Sequence, residues 1–169
     1  MPPAATPDRP PRPAGQTPIS LVQAVVQAYT QRRLDPAAAL LKAQIAPSDL
    51  ARPGTQVTAL QFERLCAAAM QELDDEALGW FSRRLPWGSY GMLARASISA
   101  PTLGVALARW CRHHGLLTED VALTLERSGA QAQVQIVERR ALGALREFAL
   151  LSLLRNLHGL ACWLVDSQI

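Results

Sequence analysis

Apolar side chains recur at helical spacing along most of the chain. Leu21, Val22, Val25, Val26 and Tyr29 follow Ser20, whose hydroxyl can cap exposed amides, and they predict a helix over about 20–32. Asp35-Pro36 is a second start signal, because Asp accepts free amides and Pro suits the first helical position. It predicts a short helix over 37–43 with Leu40 and Leu41 inward. Pro47, Pro53 and Gly54 then interrupt the pattern. Thr58-Ala59-Leu60-Gln61 has capping-box spacing ahead of Phe62, Leu65, Cys66, Ala69, Met70 and Leu73, which predicts a third helix over 58–73. Asp75 reads as the cap of a fourth helix carrying Leu78 and Phe81, stopped near Leu85 because a residue before proline resists helical geometry.

Gly88, Ser89 and Gly91 mark a turn into Met92, Leu93, Ala96 and Ile98. Pro101 opens a further helix with Leu103, Ala106, Leu107 and Trp110 on one face, expected to end near His114-Gly115. Period-two alternation follows: Val121, Leu123 and Leu125, a turn at Arg127-Ser128-Gly129-Ala130, then Ala132, Val134 and Ile136. This is a hairpin with one buried face, and it must lie on helices or join other strands to be stable. The last segment, about 139–165, reads as a long helix that is apolar nearly all the way round and expects cover on more than one side. The expected fold class is α+β, mainly helical, with a β-hairpin followed by a long C-terminal helix.

Composition adds boundaries. Residues 1–18 hold seven of the twelve prolines and almost no large apolar side chain, so they are expected to form a disordered leader ahead of one domain over 19–169. With 49% hydrophobic and 18% charged residues the rest should fold. The net charge is +3, but the basic residues are dispersed in pairs such as Arg32-Arg33, Arg83-Arg84 and Arg139-Arg140, as on solvated helix ends rather than a phosphate-binding face. Cys66, Cys111 and Cys162 are odd in number and far apart, which argues against a disulfide framework and for a reducing cytoplasm. The sequence shows neither a secretion signal nor a membrane span.

Leu85-Pro86-Trp87-Gly88-Ser89-Tyr90-Gly91-Met92-Leu93, continuing to Ser99-Ala100-Pro101-Thr102-Leu103-Gly104-Val105-Ala106-Leu107, resembles the N-terminal sensing domain of one branch of AraC-type transcription regulators, a branch labelled arabinose-binding by association. Asp35-Pro36, Ala77-Leu78-Gly79, the hairpin and the Leu-rich helix agree with it, so the resemblance spans about residues 19–169. It implies an effector-sensing or dimerising region of a regulator, with an unidentified small-molecule effector and either a second copy or a full-length regulator as partner. It also implies that DNA is read by a paired helix-turn-helix unit not contained in this chain, which makes the sequence a truncated regulator. The alternative is an interaction module that pairs through the Leu-rich helix without sensing a ligand.

The resemblance and the residue types together suggest a sensing pocket drawn from Trp87, Tyr90, Met92, Arg95, Trp110 and His114, although each alone also suits ordinary core or surface. Cys111-Arg112-His113-His114 is the nearest approach to a metal cluster; a small core cysteine and helix-end histidines explain it more simply, and no metal or cofactor is expected. Ser89 lies among glycines but lacks the nucleophile-elbow pattern, so a hydrolase ranks last and the chain is expected not to be an enzyme. Glycine-rich phosphate loops are absent from the sequence.

Overall fold

In the computed structural model, residues 16–129 and 131–167 are described. The expected leader lies outside them over residues 1–15, and so does Ala130 of the expected hairpin turn. Gln16–Pro18, which composition groups with the leader, form strand β1 and pair antiparallel with β2, Gln56–Thr58. That pairing launches α1 (Ile19–Gln31): the Ile19 amide donates to the Thr55 carbonyl at 3.0 Å, so the start is set by the strand rather than by Ser20. Val22, Val25 and Tyr29 face inward from α1 as expected.

In α2 (Ala37–Lys42), Asp35 Oδ1 accepts the Ala37 amide at 2.9 Å, the start signal read from Asp35-Pro36. Only one of the two leucines points inward: Leu40 is buried, whereas Leu41 is 79% exposed. A six-residue helix turned by about 100° per residue has one narrow contact face, and here Ala39, Leu40 and Ala43 occupy it. A 3-10 turn over Pro47–Ala51 leads to β2 and then α3 (Ala59–Glu72). The capping box is realised: the Gln61 amide donates to Thr58 Oγ1 at 3.2 Å and the Thr58 amide donates to Gln61 Oε1 at 3.0 Å. Thr58→Ala should therefore lower stability by about 1 kcal/mol, which urea unfolding would measure.

The fourth expected helix does not form. Asp74 and Leu78 take positive φ (47° and 46°), and Gly79 sits at φ 82°. The positive φ at Gly79 is what this bend asks of glycine; a Cβ there would also lie 3.0 Å from Gln31 Oε1, the end of a flexible side chain that can move aside. Leu78 and Phe81 still enter the core, but from a loop. After Gly88, at φ 98°, α4 spans Ser89–Ile98, so Gly91 lies within the helix rather than in the turn.

Helix α5 (Leu103–Leu117) is capped by Thr102, whose Oγ1 accepts the Val105 amide at 3.3 Å. It runs past the expected stop at His114-Gly115, because Gly115 is not among the positive-φ glycines and Leu117 is buried one half-turn later. The hairpin has the expected register. In β3 (Val121–Ser128) and β4 (Gln131–Glu138), Leu123 faces Ile136 and Leu125 faces Val134. Its apolar face packs through β3 on α5, which supplies the support that a two-stranded sheet needs. Helix α6 (Arg146–Leu164) starts later than expected. The Arg139 and Arg140 amides both donate to the Asp120 carbonyl, and Gly143 at φ 58° holds the chain out of the helix. Phe148, Leu153 and Leu160 of α6 are buried, while Leu151, Leu154 and Trp163 remain 46–62% exposed. The fold is thus α+β and mainly helical, with the core between α1, α3, the 73–88 loop, α5 and α6.

Candidate functional site

The loop over residues 73–88 is organised by one carboxylate. Asp75 is 1% exposed; its Oδ1 accepts the amides of Ala77 and Leu85, and its Oδ2 accepts the amide of Gly79, each at 3.0 Å. Arg32, at the end of α1, forms an ion pair with the same carboxylate. Glu76 performs a similar role at the far end, accepting the Gly88 and Tyr90 amides at 2.8 and 2.7 Å. A buried backbone that departs from helix must satisfy its N–H groups otherwise, and these two side chains do so.

Held this way, the loop presents Trp80 and Trp87 beside α3 and α6, and the three segments enclose a cleft of about 450 Å³. Its walls include Phe62, Cys66 and Met70 of α3 and Phe148 of α6; Glu63, Ser152, Arg155 and Asn156 supply polar groups. A second cleft of about 370 Å³ adjoins it toward β1 and shares Phe62, Phe148, Ser152 and Arg155. Phe148 is the common wall: its ring packs edge-on against Trp80 at 5.3 Å and against Phe62 at 6.1 Å. Trp80 is 2% exposed, and its indole Nε1–H has no hydrogen-bond partner among the described residues. Such an orphaned donor is costly unless something accepts from it.

Burial pushes the Cys66 thiol up to about 12, with Arg155 acting to lower it and Glu63 to raise it. The thiol is therefore protonated at neutral pH and a poor nucleophile. The opposed effects of Arg155 and Glu63 place both charges within electrostatic reach of this wall.

Of the six residues expected to line a pocket, the fold gathers three into one cluster and sets a fourth in the cleft. The Tyr90 ring stacks on Trp110 at 5.8 Å and lies 6.0 Å from His114, and Phe81 meets His114 edge-on at 6.0 Å. The Tyr90 hydroxyl lies 3.4 Å from His114 Nε2, and Asn156, a cleft residue, acts on the Tyr90 phenol, which sets the cluster next to the cleft. Trp87 stands in the cleft wall, half exposed. Met92 and Arg95 lie exposed on α4 and are not among the residues lining either cleft. Periodicity placed Phe62 and Phe148 on apolar helix faces but not in a site, and it gave no sign of Glu63, Trp80, Arg155 or Asn156 as cleft residues. The signal available for the last two was a polar pair interrupting the run Leu153-Leu154-Arg155-Asn156-Leu157.

His114 is fully buried and its Nδ1 lacks a partner among the described residues. Desolvation pulls its imidazole down to about 4. The unfolded chain therefore takes up the proton first as pH falls, and the stability held by neutral His114 is complete above about pH 6.5 and lost toward pH 4. The expected loss over that window is about 3 kcal/mol, and it should flatten in His114→Gln when unfolding midpoints are compared across pH. Among the described residues no three His, Cys, Asp or Glu side chains assemble to hold a metal ion. The Ser89 hydroxyl donates to the Pro86 carbonyl at 2.6 Å and closes the turn before α4.

Residues 34–169 match the family described as the arabinose-binding domain of AraC transcription regulator, N-terminal. The ornithine utilization regulator of Pseudomonas aeruginosa is 27% identical over 153 residues, covering 90% of this chain and 45% of that protein. The chain thus spans less than half the length of this relative. Among the described residues no helix is long and apolar enough to cross a membrane.

Proposed function

The chain belongs to the family of arabinose-binding N-terminal domains of AraC transcription regulators, and from that premise we propose that the cleft between α3, the 73–88 loop and α6 is where it takes up a small-molecule effector. The observation that carries this reading is Trp80, an almost fully buried wall of the cleft whose indole N–H has no acceptor among the described residues. A mostly apolar cleft with a few convergent polar groups is the usual form of such a site. Trp87, Tyr90, Trp110 and His114 belong to this reading as one wall and its backing, whereas Met92 and Arg95 are surface.

Effector binding then acts on the rest of a longer cytoplasmic regulator. The cleft loop is tied to α1 through Asp75 and Arg32 and to α4 through Glu76. A ligand that holds the loop biases any equilibrium in which these elements move, by no more than its differential affinity for the two states. DNA is met by a helix-turn-helix unit of that regulator, outside these residues. The module itself is non-catalytic in this reading, with Ser89 committed to its turn.

The indole N–H resonances of Trp80, Trp87, Trp110 and Trp163 give a direct test by NMR titration. L-arabinose, after the family description, and L-ornithine, after the relative's name, belong among the ligands tried. The expected result is a shift of Trp80 and Trp87 with Trp163, exposed near the C-terminal end of α6, unmoved; binding that moves Trp163 alone contradicts the proposal. The exposed Leu151 and Leu154 of α6 favour a second role as a contact with another copy or a full-length regulator.

A further inference from the structure

The chemistry of the cleft narrows the ligand. Arg155 and Glu63 line the same cavity, from α6 and α3, and among the described residues neither has an ion-pair or hydrogen-bond partner. They are therefore a cation and an anion on one rim that do not neutralise each other. Phe62, Met70 and Phe148 make much of the remaining wall apolar, and Trp80, whose buried N–H has no partner among the described residues, lines the same cavity.

We infer that the ligand is a small zwitterion, one carboxylate and one ammonium group on a short apolar body, with the carboxylate met by Arg155 and Trp80 and the ammonium by Glu63. This rests on the cleft being the effector site. A carboxylate alone gains Arg155 but faces Glu63; an amine alone gains Glu63 but faces Arg155; a neutral polyol hydrogen-bonds both groups through its hydroxyls but pairs no charge with either. A molecule carrying both signs converts each repulsion into an ion pair. Both charges are felt at the wall itself, since they act in opposite directions on the Cys66 thiol. The indole N–H of Trp80, a lining residue, is a donor without a partner among the described residues, and a carboxylate can accept from it whereas a cationic group cannot.

Isothermal titration of the full chain with L-norvaline, pentanoate, pentylamine and L-arabinose, matched in carbon count, tests this. L-Norvaline should bind about tenfold or more tightly than pentanoate or pentylamine. Glu63→Gln should abolish its advantage over pentanoate, and Arg155→Met its advantage over pentylamine. Both residues are exposed on the rim, so unfolding midpoints should stay at the wild-type value. If pentanoate, pentylamine or L-arabinose binds as tightly as L-norvaline and Trp80→Phe weakens that binding, the zwitterion is wrong while the cleft reading stands. L-Norvaline binding that is indifferent to Trp80→Phe, Glu63→Gln and Arg155→Met overturns both, and no binding by any of the four compounds overturns the ligand class.

Discussion

Asp75→Ala is expected to remove about 3–5 kcal/mol of stability, the cost of breaking a buried charge pair by deleting one partner. The size follows from what the carboxylate holds. The buried Asp75 accepts three loop amides and the Arg32 guanidinium, so alanine leaves the Ala77, Gly79 and Leu85 N–H groups and a partly buried cation without their acceptor. Arg32 keeps one bond, from Nη1 to the Ala28 carbonyl at 3.0 Å, which does not compensate the charge. Asp75→Asn retains one acceptor oxygen and should fall between wild type and alanine. Urea unfolding measures both; an alanine variant within about 1 kcal/mol of wild type, the range of an exposed pair, would remove Asp75 from its place as organiser of the loop.

Phe148→Ala should cost a similar amount, about 3–5 kcal/mol, for a different reason. Its ring is 4% exposed and packs edge-on against both Trp80 and Phe62. Truncation deletes two aromatic contacts and leaves a void that the neighbouring helices can close only in part. It also removes the wall shared by the two clefts, so ligand affinity should fall even where the remaining structure is folded. Phe148→Leu keeps most of the volume and should cost less, about 1–2 kcal/mol. A Phe148→Ala variant with unchanged unfolding and unchanged binding would place the ring outside the working core.

The helices whose signals are local were legible in the sequence. Thr58 and Gln61 lie three residues apart and cap α3 with each other, and Asp35 caps α2 from two residues away. The hairpin was legible too, because its register is fixed by alternation on one buried face. The 73–88 loop was not. Its acidic start has the composition of a helix cap, but the carboxylate of Asp75 serves a bend whose other partner, Arg32, is 43 residues away, and the choice between the two is made by that tertiary contact. Leu41 was misplaced because two adjacent leucines on a short helix cannot both reach the core.

The same limit hid most of the site. Its walls come from α3, a loop and α6, and periodicity reports which face of a helix is apolar without saying which helix it meets. Tyr90, Trp110 and His114 were found through a motif in one stretch of chain, and they are indeed together, but behind the cleft rather than in it. The all-round apolar character of α6 was legible, and the structure resolves it into a buried face and an exposed one.

The most direct test of the cleft as the effector site is the affinity of Trp80→Phe for whichever compound moves the Trp80 and Trp87 indole resonances of the wild-type chain. Phenylalanine keeps an aromatic ring against Phe148 but removes the N–H together with part of a buried indole, so the unfolding midpoint should fall modestly while the protein stays folded. The account predicts a loss of binding of about tenfold or more in a fully folded protein. Unchanged affinity in that folded variant would contradict it.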